Sequence, residues 1–216
     1  MSKLKKILLV ITALILLLVL AGGVWCLLFI RIYRMPTGAM MNTLLPGDRV
    51  LTILNARGNF NRGDIVIFTL PNDQKVQYIN RIIGLPGETI HLRGSKVFIN
   101  GKELPEARTY INLSNDVLTD PRRPFPEISR EGEGNYRVYY IKHDDAVDEI
   151  TGAKYAVVEP CVIPPGHYFI LGDCRDNSLD SRFWGTLPRE LIIGRGLMIY
   201  DSAAPGGEKR ALTRLK

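Results

Sequence analysis

A single long apolar run dominates the start of the chain. From Ile7 to Ile30 no charged residue occurs over about 24 positions, which is long enough for a helix to cross a hydrocarbon core of roughly 30 Å. Basic residues flank the run on both sides, at Lys3, Lys5, Lys6, Arg31 and Arg34. With the amino terminus added, this bias favours an N-terminus inside the cell. We predict a cytoplasmic N-terminus (1–6), a transmembrane signal anchor (7–30) and an exported body.

A cleavable signal peptide is the competing interpretation of the same run. The run is longer than the roughly 7 to 15 apolar residues of such peptides, and no small-x-small cleavage site follows Ile30. The segment GVWC also lacks the small residues expected before a lipidated cysteine. We therefore expect an uncleaved, single-pass anchor in the cytoplasmic membrane, with the body on the extracytoplasmic face.

Beyond the anchor, the pattern changes to short β-branched or aromatic runs that are separated by Gly, Pro, Asn and Asp. Asn100-Gly101 within KVFINGKEL is a strong hairpin signal. Helical periodicity is absent. The pattern predicts a mainly β protein with an antiparallel sheet, whose strands fall in RVLTILN, GDIVIFTLP, QYINRIIG, TIHLRGSKVFING, YAVVEPCVIP, HYFILGD and LIIGRGLMIYD.

One part of the body has a different texture. Residues 105–155 are polar, charged and rich in proline, and only YRVYYI within them is typical of a strand. Such a segment is typical of an insertion. We predict a first part of the body at 31–104, an inserted subdomain at 105–155 and a second part at 156–216.

Charge and cysteine content narrow the function classes. The formal net charge is +6 and the pI is about 9.3, but the basic residues are scattered among acids, which argues against nucleic acid as a partner. Cys161 and Cys174 could pair in an exported domain, and the sequence leaves this open. Three scattered histidines (His91, His143, His167) argue against a metal site. We expect no cofactor.

Three separated blocks carry the candidate chemistry: MPTGAMMNTLLPGDRV, RGDIVIF with YINRIIGLPGETI, and PPGHYFILGDCRDNSLDSRFWGTLPRELIIGRG. In this order behind an anchor, they resemble the bacterial type I signal peptidases, which remove signal peptides from exported preproteins. The last block is the most specific. The resemblance implies a signal-peptidase-like β body, signal peptides as partners and a serine nucleophile activated by a lysine base. That lysine accepts a proton only when burial lowers its pKa.

Both reactive groups of that pair are missing here. The serine position corresponds to Ala39 and the lysine position to Asn80. An alanine has no nucleophile, and an amide has no basic nitrogen. The chain as written is therefore expected to be inactive, since losing either member of such a pair costs on the order of a million-fold in turnover.

The resemblance assigns further roles around this pair. It implies that Thr37 and the Ala39 backbone N–H form an oxyanion hole, that Ser178 supports the pair, and that Asp180 and Arg182 are a structural ion pair. Small side chains of the substrate would lie in shallow apolar pockets, and its backbone would add as a strand. The candidate substrate-binding residues are Met40, Gln77, Ile79 and Ile82, although Met40 and Ile82 also suit an ordinary core.

The sequence leaves three functions open. The chain is an inactivated signal peptidase, a natural relative that binds signal peptides or the export machinery without cleaving, or a hydrolase that uses other groups. Whether the changes at Ala39 and Asn80 are natural or engineered stays open. A self-cleaving repressor of related fold is disfavoured, because no helix-turn-helix precedes the body. We expect a monomer whose cleft faces the membrane surface.

Overall fold

The computed structural model describes residues 2–54, 58–111, 122–124, 127–141, 152–204 and 209–215. Within the predicted insertion, residues 112–121, 125, 126 and 142–151 lie outside this part, and so does His143.

A long apolar helix, α1 (Lys3–Phe29), begins the chain. Ser2 caps it by accepting the N–H of Lys5 at 3.4 Å, and it ends because Ile30 takes an extended backbone conformation. None of its residues is buried against the body. A helix that is apolar on all sides and has no protein partner is typical of a membrane span, and α1 meets the length and composition of one. The helix begins four residues before the first residue of the predicted span and ends one residue before its last residue.

The body is mainly β, as predicted, and most of its strand pairs are antiparallel. In chain order the strands are β1 (Ile30–Arg34), β2 (Arg49–Leu54), β3 (Ile65–Leu70), β4 (Asp73–Gly84), β5 (Thr89–Arg93), β6 (Lys96–Ile99), β7 (Lys102–Glu103), β8 (Ala107–Ile111), β9 (Glu127–Glu131), β10 (Arg137–Ile141), β11 (Cys161–Val162), β12 (His167–Leu171), β13 (Leu187–Pro188), β14 (Ile192–Asp201) and β15 (Thr213–Arg214).

The largest sheet in the described part of the chain has the order β1-β2-β14-β3-β4-β12-β13, and β15 adds to β14. Its centre, β3, is apolar without alternation because both of its faces are covered. Ile65 and Ile67 pack on one face with Ala39 and Ile79, whereas Val66 and Phe68 pack on the other face. The site described below lies at the edge of the first of these two clusters.

A second sheet, with the order β11-β5-β6-β7, contains the predicted hairpin. Asn100 and Gly101 both have positive φ, 51° and 78°, and they join β6 to β7. Two successive positive φ values define the type I′ turn that Asn-Gly favours. This local prediction from the sequence is confirmed.

A third sheet, β10-β8-β9, lies within the predicted insertion. Only β10 was predicted there, and β8 pairs with it in parallel rather than antiparallel fashion. A parallel pair needs a long connection between its strands, so the local pattern of either strand gives no sign of it.

One predicted strand is wrong. Of YAVVEPCVIP, only Cys161–Val162 is a strand. Ala156 has a φ of +61°, which interrupts an extended conformation, and Pro160 has no N–H to donate to a neighbouring strand.

Candidate functional site

The segment that carries Ala39 is a loop closed by backbone hydrogen bonds. The N–H of Met35 donates to the carbonyl of Asp48 at 2.8 Å, and the N–H of Gly47 donates to the carbonyl of Met35 at 2.8 Å. Arg210, near the end of the chain, donates to Asp48 at 2.6 Å and to the carbonyl of Thr43 at 3.1 Å. The loop is thus held at both ends, and Ala39 lies between them.

The segment after β12 packs directly on this loop. The N–H of Cys174 donates to the carbonyl of Ala39 at 3.1 Å. At Gly172 a Cβ atom would lie 2.6 Å from the Ala39 carbonyl oxygen and closer still to the side chain of Ser178. Only a glycine fits here, so Gly172 is where the loop and the segment around Ser178 meet.

Asn80, on β4, completes this group and is fully buried. Only one orientation of its amide satisfies both ends: Nδ2 donates to the Ile79 carbonyl, and Oδ1 lies 3.2 Å from Ser178 Oγ and 3.3 Å from the N of Gly172. The reverse orientation would place Oδ1 against the Ile79 carbonyl oxygen, acceptor against acceptor. The Ser178 hydroxyl therefore donates to Asn80. The two positions predicted for the reactive pair thus lie on either side of Gly172.

Thr37 lies at the mouth of the site and is exposed. The backbone N–H of Ala39 donates to Thr37 Oγ1 at 3.4 Å. The N–H and the hydroxyl predicted to form an oxyanion hole are therefore neighbours, and the hydroxyl hydrogen of Thr37 is left to donate elsewhere.

The predicted ion pair Asp180–Arg182 contacts the backbone of Gly172. The carboxylate of Asp180 accepts Nε and Nη2 of Arg182, both at 2.8 Å, and the N–H of Gly172 at 3.0 Å. Both side chains are at most 1% exposed. Asp180 also accepts the N–H of Arg182 and so caps α2 (Ser181–Trp184). One carboxylate thus fixes the glycine and the short helix together.

A second buried ion pair joins β4 to the segment after β12, and Thr43 of the loop binds the same pair. Arg81 binds Asp173 through two hydrogen bonds of 2.7 and 2.6 Å, and Thr43 donates to the same carboxylate at 2.6 Å. Burial disfavours the charged form of Arg81, but the Asp173 carboxylate outweighs this, so the pKa of Arg81 is raised. Because Arg81 follows Asn80 and Asp173 follows Gly172, this pair sets the distance between the two sides of the site.

A third buried pair ties the site to the insertion. Arg175 donates to both carboxylate oxygens of Glu106, and both side chains are at most 1% exposed. Burial opposes the charge of Arg175, yet Glu106 keeps its pKa well above the ordinary value. The N–H of Tyr139 on β10 also donates to the Asp173 carbonyl at 2.7 Å.

Sequence reasoning assigned no role to any residue of the second and third pairs. Asp173 and Arg175 belong to the motif GDCRDNS. If they are buried, each needs a partner of opposite charge, so a role in buried ion pairs could have been predicted for them. For Glu106, inside a polar insertion, the sequence holds no signal.

The predicted substrate-binding residues differ in their exposure. Met40 and Ile82 are fully buried and belong to two different apolar clusters, so both are core residues in this structure. Their assignment to the substrate surface does not fit this burial. Ile79 is 3% exposed and packs with Ala39, whereas Gln77 is exposed on the same strand. Gln77 and Ile79 stay candidates.

The two cysteines of the body are free thiols. Cys161 is half-buried on β11. Cys174 is fully buried in a cluster with Met41 and Leu45, and this burial raises the pKa of its thiol to about 12. A thiol with this pKa stays protonated at neutral pH and is a poor nucleophile.

Comparison with known proteins identifies the family. The sequence pattern of the signal peptidase family, peptidase S26, matches residues 6–200 of the chain. The chain belongs to this family. Its N-terminal apolar helix and its mainly β body agree with membership among the bacterial type I signal peptidases.

Relatives within the signal peptidase family are similar along most of the chain. The signal peptidase I of Rickettsia typhi is 32% identical over 202 residues, covering 82% of this chain and 74% of that protein. The signal peptidase I of Buchnera aphidicola subsp. Acyrthosiphon pisum is 29% identical over 212 residues, covering 79% and 68%. A crystal structure of a signal peptidase I from Enterococcus faecalis V583 matches with 26% identity and a TM-score of 0.38, covering 64% of this chain and 97% of that one.

Proposed function

We propose that this chain is a membrane-anchored signal peptidase family protein that binds the cleavage region of exported preproteins without cutting it. One observation carries the proposal. Ala39 and Asn80 stand at the two positions where the family's reactive serine and lysine are expected, within a site whose supporting contacts are otherwise complete. The chain keeps the means to hold a peptide and has no groups to attack it.

The chemistry of peptide hydrolysis at this site needs a nucleophile and a base. The methyl group of Ala39 cannot attack a carbonyl. The amide of Asn80 cannot accept a proton at neutral pH, and its oxygen already accepts the Ser178 hydroxyl. Loss of both members of a cooperating pair lowers turnover on the order of a million-fold.

Neighbouring side chains are poor substitutes for the missing nucleophile. The Ser178 hydroxyl is hydrogen-bonded to the Asn80 amide, which cannot act as a base for it. Cys174 is buried with a raised pKa. Thr37 is exposed and has the Ala39 N–H rather than a basic group as its partner.

The nearby lysines are poor substitutes for the missing base. Lys75 is exposed on β4, and a five-residue offset from Asn80 points it away from that residue. Lys96 is paired with Glu103 at 3.2 Å in a different sheet.

Binding would rest on backbone groups that the substitutions leave in place. β12 pairs with β4 only from Arg81 onward, so the preceding part of β4, around Gln77 to Asn80, has one edge open in the described structure. An extended peptide can add to such an edge. The Thr37 hydroxyl would donate to its carbonyl oxygen, and so would the Ala39 N–H once it leaves Thr37 Oγ1.

The anchor would place the body beside its ligands. With its N-terminus in the cytoplasm, α1 leaves the body on the extracytoplasmic face, where the cleavage region of a membrane-bound signal peptide emerges. We take the monomer as the functional unit. A partner in the export machinery is the second candidate, and it predicts no affinity for isolated signal-peptide segments.

Cleavage of a preprotein with an Ala-x-Ala site, in detergent, tests the proposal. The chain is compared with the double variant Ala39→Ser plus Asn80→Lys and with each single variant, which restores only one member of the pair. Binding of an Ala-x-Ala peptide to the unaltered chain is measured in parallel. We expect binding by the unaltered chain and cleavage by the double variant alone.

Other results would contradict the proposal in distinct ways. Cleavage by the unaltered chain at the rate of the double variant would assign the chemistry to another residue. Absence of peptide binding, with or without cleavage by the double variant, would favour a protein partner from the export machinery.

A further inference from the structure

Among the residues that the structure describes, the site around Gly172 contains polar groups but no unpaired charge. Oδ1 of Asn80 accepts the Ser178 hydroxyl, and Nδ2 gives one of its hydrogens to the Ile79 carbonyl. The Ser178 oxygen is therefore left as an acceptor. The backbone N–H of Ala39 and the hydroxyl of Thr37 are neutral donors.

The nearest buried cations are already neutralised. In the described part of the chain, three arginines are at most 1% exposed, and they lie next to the site in the sequence. Each is paired with a carboxylate, as Arg81–Asp173, Arg175–Glu106 and Arg182–Asp180. Each carboxylate accepts at least two hydrogen bonds from its arginine. None of these charges can turn toward a new anion without leaving its partner buried and unpaired.

Such a site treats two forms of the same ligand differently. An uncleaved chain passes through it with a neutral peptide group, whose carbonyl oxygen would accept hydrogen bonds from the Thr37 hydroxyl and the Ala39 N–H. A cleaved signal peptide ends there in a carboxylate, whose oxygens would meet the same neutral donors with no cation beside them. Taking a carboxylate out of water without a cation beside it is unfavourable, whereas a neutral amide needs only its hydrogen bonds.

We propose that the site is a selective receptor for the uncleaved peptide and rejects the cleaved signal peptide, because Asn80 cannot take up a proton and pair with a terminal carboxylate. This inference rests on the proposed binding function. It names the form of the ligand: a continuous extended peptide that crosses the site.

Three peptides that differ only at one end test it. One spans an Ala-x-Ala site, the second stops at the last alanine with a carboxamide, and the third stops there with a free carboxylate. Binding to the full chain in neutral detergent micelles is measured at pH 7. We expect the carboxamide peptide to bind like the spanning peptide, and the carboxylate peptide to bind at least about tenfold more weakly.

The net charge of the protein makes this test stringent. At +6, the chain as a whole attracts the carboxylate peptide slightly more than the carboxamide peptide. A deficit for the carboxylate would therefore come from the site itself.

A charge placed at the site should remove the discrimination. In Asn80→Lys the carboxylate deficit should shrink to within about threefold of the carboxamide peptide. Burial keeps the lysine neutral in the free chain, but a bound carboxylate beside it favours its protonated form and then pairs with it. Val76→Lys is the matched control, since it adds the same charge to an exposed position of the same strand and should leave the deficit unchanged.

The outcomes separate the inference from the function on which it rests. Equal affinity of the unaltered chain for all three peptides overturns the inference and leaves the binding function intact. Failure of all three to bind overturns both. Equal loss of the deficit in Asn80→Lys and Val76→Lys would assign it to long-range charge and overturn the role given to Asn80.

Discussion

Replacing Asp180 by asparagine should destabilise the body strongly, because one carboxylate holds several parts of the site. It accepts three hydrogen bonds from Arg182 and one from the N–H of Gly172. The amide keeps the shape of the side chain but removes the charge, and it replaces one acceptor oxygen with a donor. Arg182, at 1% exposure, is then a buried cation with only neutral partners.

The expected size of the effect follows from burial. Removing one partner of a buried ion pair costs about 3–5 kcal/mol, a large share of the roughly 5–15 kcal/mol that stabilises a domain. With a urea dependence of about 2 kcal/mol/M, the unfolding midpoint of Asp180→Asn should fall by about 2 M. Asp201→Asn is the control. It makes the same change in an ion pair with Arg49 whose side chains are 43% and 52% exposed, and it should leave the midpoint unchanged.

The fluorescence of a single tryptophan can report this unfolding. The chain has two tryptophans, so a Trp25→Phe background leaves Trp184, which packs on Phe68 at a ring distance of 6.0 Å. Adding Arg182→Met to Asp180→Asn should recover part of the loss, because no unpaired charge then remains buried. A midpoint for Asp180→Asn equal to that of Asp201→Asn would refute the reasoning.

Three further predictions concern the same region. Gly172→Ala should abolish peptide binding and lower stability by about 1–3 kcal/mol or more, since its Cβ would meet the Ala39 carbonyl and Ser178; binding equal to the unaltered chain would contradict this. At neutral pH, Cys161 should react with a thiol reagent and Cys174 only after unfolding, and equal labelling rates of the two thiols would contradict their burial. The folded pKa of Cys174, about 12, lies above its ordinary value of 9.0. The stability of the chain relative to Cys174→Ala should therefore be constant below pH 9 and fall from pH 9 to 12, and a constant difference across that range would be inconsistent with the raised pKa.

Those parts of the fold that depend on neighbouring residues could be predicted from the sequence. The apolar run gave α1, and Asn100-Gly101 gave the hairpin, because turn and span signals are local. That Ala39 and Asn80 lie in one site was expected only from family motifs. No local pattern in the sequence indicates that two residues so far apart in the chain come together.

The contacts between the site and the insertion were beyond that reasoning. Glu106 neutralises Arg175 from within the insertion, and β8 pairs with β10 in parallel. Both depend on how a long connection folds back, which neither hydrophobic alternation nor turn residues encode. A buried arginine in a motif does predict that a carboxylate lies nearby, but it does not say which one.

The surroundings of Ala39 and Asn80 explain how the fold accommodates this pair. Both ends of the Asn80 amide have partners, and the Ala39 methyl, 6% exposed, packs in an apolar cluster with Met35 and Ile79. Neither residue leaves a buried polar group unsatisfied.

A catalytic lysine in the same place would have to be held neutral by burial, and such a group opposes folding because its charged form is favoured in water. Ala39 and Asn80 avoid the free-energy cost of burying a neutral lysine. The recognition elements are independent of these two side chains, because the Ala39 N–H and the open edge of β4 belong to the backbone. Loss of catalysis and retention of binding are therefore compatible in this fold on energetic grounds. In the proposed receptor function, the charge of the ligand next to Asn80 would then decide which form binds.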